Sequence, residues 1–291
     1  MSWVFQNLEV QGKPDFGSGH KNLGFVDQAA LTSLIRNHFL LQTVKEPMHT
    51  IPTVKIKPVQ IGKKGIYIGL AILVSWAGML AFLLNYTIRP TDPLVYLFVL
   101  IQTHLFTGVF ITTHDSIHGL VAPQYPRANR WIGRVSAFIF AYNNYDKLSE
   151  KHHLHHKHPG SEHDPDFHNG NPGLLAWWFS FLLEYISVWQ VLAMAATYTV
   201  LDIWYPMENL IVFWIVPAWL STIQLFIFGT YLPHRGEHHT PPHNARSQGL
   251  NHTLAFLSCY FFGYHYEHHA YPYLPWWKLA EAREKTAVQA G

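Results

Sequence analysis

The sequence predicts an all-α integral membrane protein: four transmembrane helices plus interfacial helices, with a histidine-rich cap on the cytosolic side. Three observations carry this. Only 13% of residues are charged, about half the usual share of a soluble domain, while 49% are hydrophobic. The charges leave long uncharged runs, each long enough to cross a bilayer core. Of the 21 histidines, 17 fall in residues 114–168 and 234–269, where those runs end. A net charge of +2 and the absence of a basic stripe give no sign of a nucleic-acid partner. The one cysteine, Cys259, excludes an internal disulfide framework and fits a reducing compartment. No short apolar segment with a small-residue cleavage site opens the chain, so no signal peptide is expected.

Taken in order, residues 1–62 read as a mixed, polar, partly irregular cytosolic tail. Within it, residues 26–44 carry a partial apolar stripe suited to a surface helix. Residues 63–291 form the membrane domain. Ile66–Tyr86 is uncharged throughout and matches a hydrocarbon core of about 30 Å. After the turn-rich stretch Thr87–Pro93 comes a second uncharged run, Leu94–Thr113. Trp131–Tyr142 is apolar but too short to cross, and is expected to lie along the membrane face. Gly173–Ile203 is too long for one simple span. Its first half, with Trp177 and Trp178, reads as interfacial, and Val188–Tyr205 as the third crossing. Asn209–Leu232 is the fourth.

Counting crossings then sets the topology. Two spans separate the histidines after the second crossing from those after the fourth, so all emerge on one side. Lys55, Lys57, Lys63, Lys64, Arg127, Arg130 and Arg134 share that side, whereas Arg89 is the one basic residue in the opposite loops. Basic residues concentrate in cytoplasmic loops, which puts both termini and the histidines in the cytoplasm.

The histidines fall into His114-x-x-x-His118, His152-His153-x-His155-His156 and His265-x-x-His268-His269, with an isolated His234. Spacings of three and four place imidazoles on one helical face, so each group can aim several nitrogens at one point. Neutral imidazole suits iron, zinc, copper and nickel. Structural zinc sites usually include cysteine, and the chain offers no cysteine set. The convergent imidazoles exceed what one ion needs, so two ions are expected. An iron pair can activate dioxygen, which redox-inert zinc cannot. Beside a bilayer, the natural substrate is a lipid with an unactivated or allylic C–H bond. Asp115, Asp164 and Asp166 are candidates to orient ligand rings from behind, a role expected of Asp115 and Asp166, and Asp164-Pro165-Asp166 also fits turn chemistry. His104 reads as a packed residue within a span, and His252 as a solvated or hydrogen-bonded one. Trp276, Trp277, Tyr271 and Tyr273 suggest an interfacial aromatic belt or the wall of an apolar slot.

Three histidine boxes with four spans resemble the membrane di-iron superfamily of fatty-acid desaturases, alkane hydroxylases and carotenoid oxygenases. Finer segments are similar to the β-carotene ketolases of bacteria and cyanobacteria. They are His114-Asp115-Ser116-Ile117-His118-Gly119, Pro126-Arg127-Ala128-Asn129, His155-His156-Lys157-His158 and Asp164-Pro165-Asp166-Phe167. Further along come Phe228-Gly229-Thr230-Tyr231-Leu232-Pro233-His234-Arg235, Asn244-Ala245-Arg246-Ser247, Gly263-Tyr264-His265-Tyr266-Glu267-His268-His269 and Pro275-Trp276-Trp277. The likeness runs in order over about residues 65–280.

The resemblance implies two iron ions held by His114, His118, His152, His155, His156, His234, His265, His268 and His269, with His153 at a non-ligand spacing. It implies O2 as co-substrate, β-carotene drawn from the bilayer, and oxidation at ring carbon C4 through echinenone to canthaxanthin. Two hydroxylations and a dehydration at each ring would account for this. No Gly-rich dinucleotide fingerprint is present, so electrons are expected from a separate, ferredoxin-type donor. A carotenoid hydroxylase or a fatty-acyl desaturase is the nearest alternative. A membrane metal transporter or storage protein is the alternative from another class.

Overall fold

The computed structural model describes residues 55–290 apart from 59, 238 and 239. The surface helix expected over residues 26–44 lies outside the described residues, as does most of the tail.

The first uncharged run forms α1, Lys64–Leu83. Asp92 then caps α2, Pro93–Ile117: its carboxylate accepts the Leu94 amide N–H at 2.9 Å, and Pro93 supplies the pre-set φ of a first helical residue. This helix runs four residues past the expected end of the span, and the first histidine box forms its last turn. Helix α3, Pro126–Ile139, is amphipathic. Trp131, Val135 and Phe138 form its exposed apolar face, while Asn129, Gly133, Ser136 and Ala137 are buried against its neighbours. Asn144 caps α4, Tyr145–Lys157, which carries the whole second box.

Helices α5, Leu174–Tyr185, and α6, Val188–Leu201, meet at an angle of 85°. Ser187 and Gln190 form a reciprocal capping box that starts α6. The last long helix, α7, spans Met207–His234 and contains two π-helical segments, Ile211–Ile215 and Ile227–Tyr231. The third box lies on the short α9, His265–Ala270, between α8, His252–Cys259, and α10, Leu279–Ala290.

Among the described residues, α1, α2 and α7 are long and apolar enough to cross a membrane. The expected third span needs correction. Its helix ends at Leu201, and 14 residues reach about 21 Å, short of the roughly 30 Å core. Only the bent pair α5 and α6 taken together qualifies as a fourth. The chain nonetheless returns the full height of the helices there. Both α2 and α7 end at the histidines, yet Asn209, at the start of α7, donates to the carbonyls of Leu83 and Tyr86 at the opposite end. The segment between Asp166 and Asn209 therefore runs from one end to the other.

Helix α2 is the centre of the packing. Phe106, Val109 and Ile111 are buried among Ile72 of α1, Leu210, Trp214 and Leu225 of α7, and Tyr260 and Phe262 after α8. Trp276 and Tyr271, expected as a belt or slot wall, join clusters beside α8 and α10 instead.

Candidate metal centre

All nine ring-bearing positions singled out in the sequence meet at one end of this bundle, and their Nε2 atoms point inward. His118 Nε2 lies 2.8 Å from His152 Nε2, His156 Nε2 3.1 Å from His152 Nε2 and 2.8 Å from His268 Nε2, and His114 Nε2 3.2 Å from His268 Nε2. A second group has His269 Nε2 at 3.0 Å from both His155 Nε2 and His265 Nε2, with the His234 ring 4.9 Å from those of His155 and His265. The geometry thus separates five imidazoles, those of His114, His118, His152, His156 and His268, from four, those of His155, His234, His265 and His269. His153, on the outer face of α4, bonds back to the Ser149 carbonyl at 2.6 Å.

These separations fit metal ions. Two imidazole nitrogens, each about 2.1 Å from one ion and at right angles, lie about 3 Å apart. Without an ion the arrangement is hard to satisfy, because two neutral imidazoles share one proton and His156 and His269 each face two partners. The pKa values point the same way. Burial, reinforced by neighbouring imidazoles, holds His152, His265, His268 and His269 well below the usual histidine range. The same causes push His118 to about 3 and His156 to about 2. Neutral imidazole is the form that binds metal.

The rings are oriented from behind. His155 Nδ1 sits 2.9 and 3.0 Å from the two Asp164 oxygens. Burial depresses the His155 pKa, but Asp164 and Asp166 outweigh it and the net shift is upward. Asp164 also accepts the amide N–H groups of Gly160 and Asp166, so it makes the turn and holds the ring at once. Asp166, expected in the ring-orienting role, is 3.7 Å from His155 and instead accepts the Tyr185 hydroxyl. Burial raises the Asp166 pKa to about 6 against the opposing pull of His155. Asp115 approaches His114 Nδ1 at 3.4 Å and accepts the Trp276 amide at 3.2 Å.

Asp164, a candidate in the sequence alongside its turn reading, takes the place behind His155 that was expected of Asp166. Two further groups escaped the sequence reading. Glu267, fully buried between His265 and His268, accepts the hydroxyls of Ser247 and Thr286 and the Arg283 guanidinium, tying α9 to α10. Asn244 places its backbone carbonyl 2.9 Å from His234 Nδ1 and donates its side-chain amide to the Pro159 carbonyl. The signal for both was present in the segments around His234 and His265, but their partners lie far along the chain. His252 is hydrogen-bonded to Tyr264 and Glu284, away from the cluster.

A cavity of about 640 Å³ leads away from the histidines. His114, His152, His155 and His265 close one end, and its walls are mostly apolar, with Phe106, Phe110, Phe140, Phe262 and Trp214 prominent. Thr230, one helical turn before His234, faces it too.

Residues 91–190 and 184–290 match the family model described as fatty acid desaturase. The β-carotene ketolase of Paracoccus sp. (strain PC1) is 40% identical over 239 residues, covering 78% of this chain and 96% of that protein. The chain belongs to the fatty acid desaturase family, among the β-carotene ketolases. Other relatives in this family include the β-carotene ketolase of Haematococcus lacustris, 40% identical over 62% of this chain and 59% of its own. The zeaxanthin 4-ketolase of Chlamydomonas reinhardtii is 39% identical over 62% of this chain and 42% of its own. The match to these two spans less than two thirds of their length. Both imidazole groups described above lie within the matched residues.

Proposed function

We propose that this chain oxidises C4 of the β-ionone rings of β-carotene, giving echinenone and then canthaxanthin. The observation that carries this reading is the convergence of nine imidazoles at the closed end of an apolar cavity, in a chain whose relatives are named β-carotene ketolases. His114, His118, His152, His156 and His268 would hold one iron, and His155, His234, His265 and His269 the other. Bound there, the iron pair supplies reductive activation of dioxygen. The protein's own part is to hold a ring against the imidazole face and keep bulk water away. Phe106, Phe110, Phe140 and Phe262 suit that task because a ring packs on them without offering a hydrogen bond.

Each round uses O2, two electrons and two protons, placing one oxygen on C4 and releasing one water. A second hydroxylation at the same carbon gives a geminal diol, whose loss of water leaves the ketone. A ferredoxin-type protein is the proposed electron donor, docking on the basic face that carries Arg127, Arg130 and Arg134. The basic bias puts that face, the termini and the histidines in the cytoplasm.

The test is expression in cells that accumulate β-carotene, with identification of the pigment formed. Ketones at C4 are expected, and C3 alcohols alone would defeat the reading. Purified protein should hold two irons per chain, lost together with activity in His118→Ala or His268→Ala.

A further inference from the structure

The cavity's lining is buried or half-buried except at five residues. Every exposed residue in its wall lies on α6, on the bend before it, or on α7: Ile186, Val191 and Ala195 on one side, Ile211 and Trp219 on the other. Helix α6 itself is loosely held. Gln190 is its one buried residue, and it bonds to the Ala141 carbonyl and the Asn143 side chain, each at 3.1 Å. A second tie joins Thr197 to the Tyr142 hydroxyl. Both ties reach the linker between α3 and α4, so neither closes the seam between α6 and α7. Around that seam the outer surface is apolar, with Trp189, Leu192 and Val200 exposed on α6 and Leu220 on α7. Such a surface belongs in lipid, and so does a hydrocarbon substrate.

We propose that the seam between α6 and α7 is the portal through which the substrate slides sideways from the bilayer. The occupant is a long hydrocarbon ending in a ring, whose ring reaches the imidazoles while the rest of the chain threads the seam. This rests on the ketolase reading for the identity of the substrate. The geometry supports it directly: a pocket shut at the metal end and open on a lipid-facing seam admits a rod by its tip. Two polar groups near the seam are already engaged, Gln190 with its partners and Thr222 with the Trp219 carbonyl.

Two small residues, Ala195 on α6 and Ala218 on α7, line the cavity wall. Ala195→Trp and Ala218→Trp should block the portal, whereas Leu192→Trp and Leu220→Trp place the same side chain outside the cavity wall. Each full-length variant is purified from β-carotene-containing membranes, and pigment per chain, iron per chain and C4 ketone are measured. The portal variants should retain at least fivefold less β-carotene and form correspondingly less ketone, with iron unchanged and the controls within twofold of the parent. A Trp variant that loses iron is judged by its Leu counterpart, for which a smaller drop in pigment, with iron retained, is expected. Portal variants that keep pigment within twofold overturn the proposal, as does a parent chain that retains no β-carotene. A parent that retains pigment but leaves C4 unoxidised refutes the ketolase reading alone.

Discussion

Asp164 grips His155 through both carboxylate oxygens, and both side chains are almost wholly buried. A carboxylate behind a ligand imidazole fixes the tautomer, leaving Nε2 with its lone pair toward the ion, and strengthens it as a donor. Asp164→Ala should therefore weaken metal retention by about 10–100-fold, the usual cost of removing such a partner. Asp164→Asn keeps one acceptor and should fall in between. Iron remaining per chain across a chelator titration measures this. Parent-like retention in both variants would remove the orienting role.

Acid should release the metal and loosen the fold together. His118, His152, His156, His265, His268 and His269 all have folded pKa values below the unfolded value of about 6.5, from burial first and like-charged neighbours second. The unfolded chain thus binds more protons, so stability rises with pH through this range. Their contribution is fully present above about pH 6.5 and is lost as pH falls toward the folded values, about 2 for His156 and about 3 for His118. Metal-free protein in detergent should show a Tm that drops steeply below pH 6.5, with more than one proton taken up on unfolding. A flat Tm between pH 7 and 5 would contradict the burial of these rings.

The histidine spacing announced much of this site, because i, i+3 and i+4 are local and put rings on one helical face. The division into five and four was not legible. It depends on how α9 lies against α4, and His156 and His269 are separated by more than a hundred residues. Asp164 shows the limit in another way. A carboxylate in an Asp-Pro-Asp turn also reads as turn chemistry, and nothing local says that its oxygens, rather than those of Asp166, reach a ring on α4. The third span was overestimated for a related reason. Val188–Tyr205 is largely apolar, whereas the helix stops at Leu201, just before the charged Asp202.

Glu267 should matter for stability although no metal role is assigned to it. It accepts from Thr286 at 2.6 Å and Arg283 at 3.4 Å as well as from Ser247. Glu267→Ala leaves those donors facing a buried gap, a loss of about 2–4 kcal/mol, moderated because Arg283 is partly solvated. Glu267→Gln preserves the shape and should cost less. Thermal unfolding followed by loss of iron would show whether α10 and the third box come apart as one unit. A Tm unchanged in Glu267→Ala would exclude the role.

Gly133→Ala tests how the first box is held. A Cβ at this position would sit 2.1 Å from Ser116 Oγ and 2.4 Å from Tyr145 Cε2. Neither neighbour can give way freely. Ser116 Oγ donates to the Asn129 carbonyl at 2.8 Å, the Asn129 amide donates back to the Ser116 carbonyl at 2.7 Å, and the Tyr145 hydroxyl reaches that same carbonyl at 3.0 Å. Ser116 lies between His114 and His118, so pushing α3 away disturbs both rings at once. The expected cost is about 1–3 kcal/mol from overpacking, with partial loss of iron. Gly78→Ala supplies the control in the same protein. A Cβ there meets nothing within 4 Å, and a helix interior gains about 0.5–1 kcal/mol from the exchange. Opposite Tm shifts for the two substitutions, with iron lost only in Gly133→Ala, would show that close approach of α3 to α2, and not glycine as such, sets the first histidine pair.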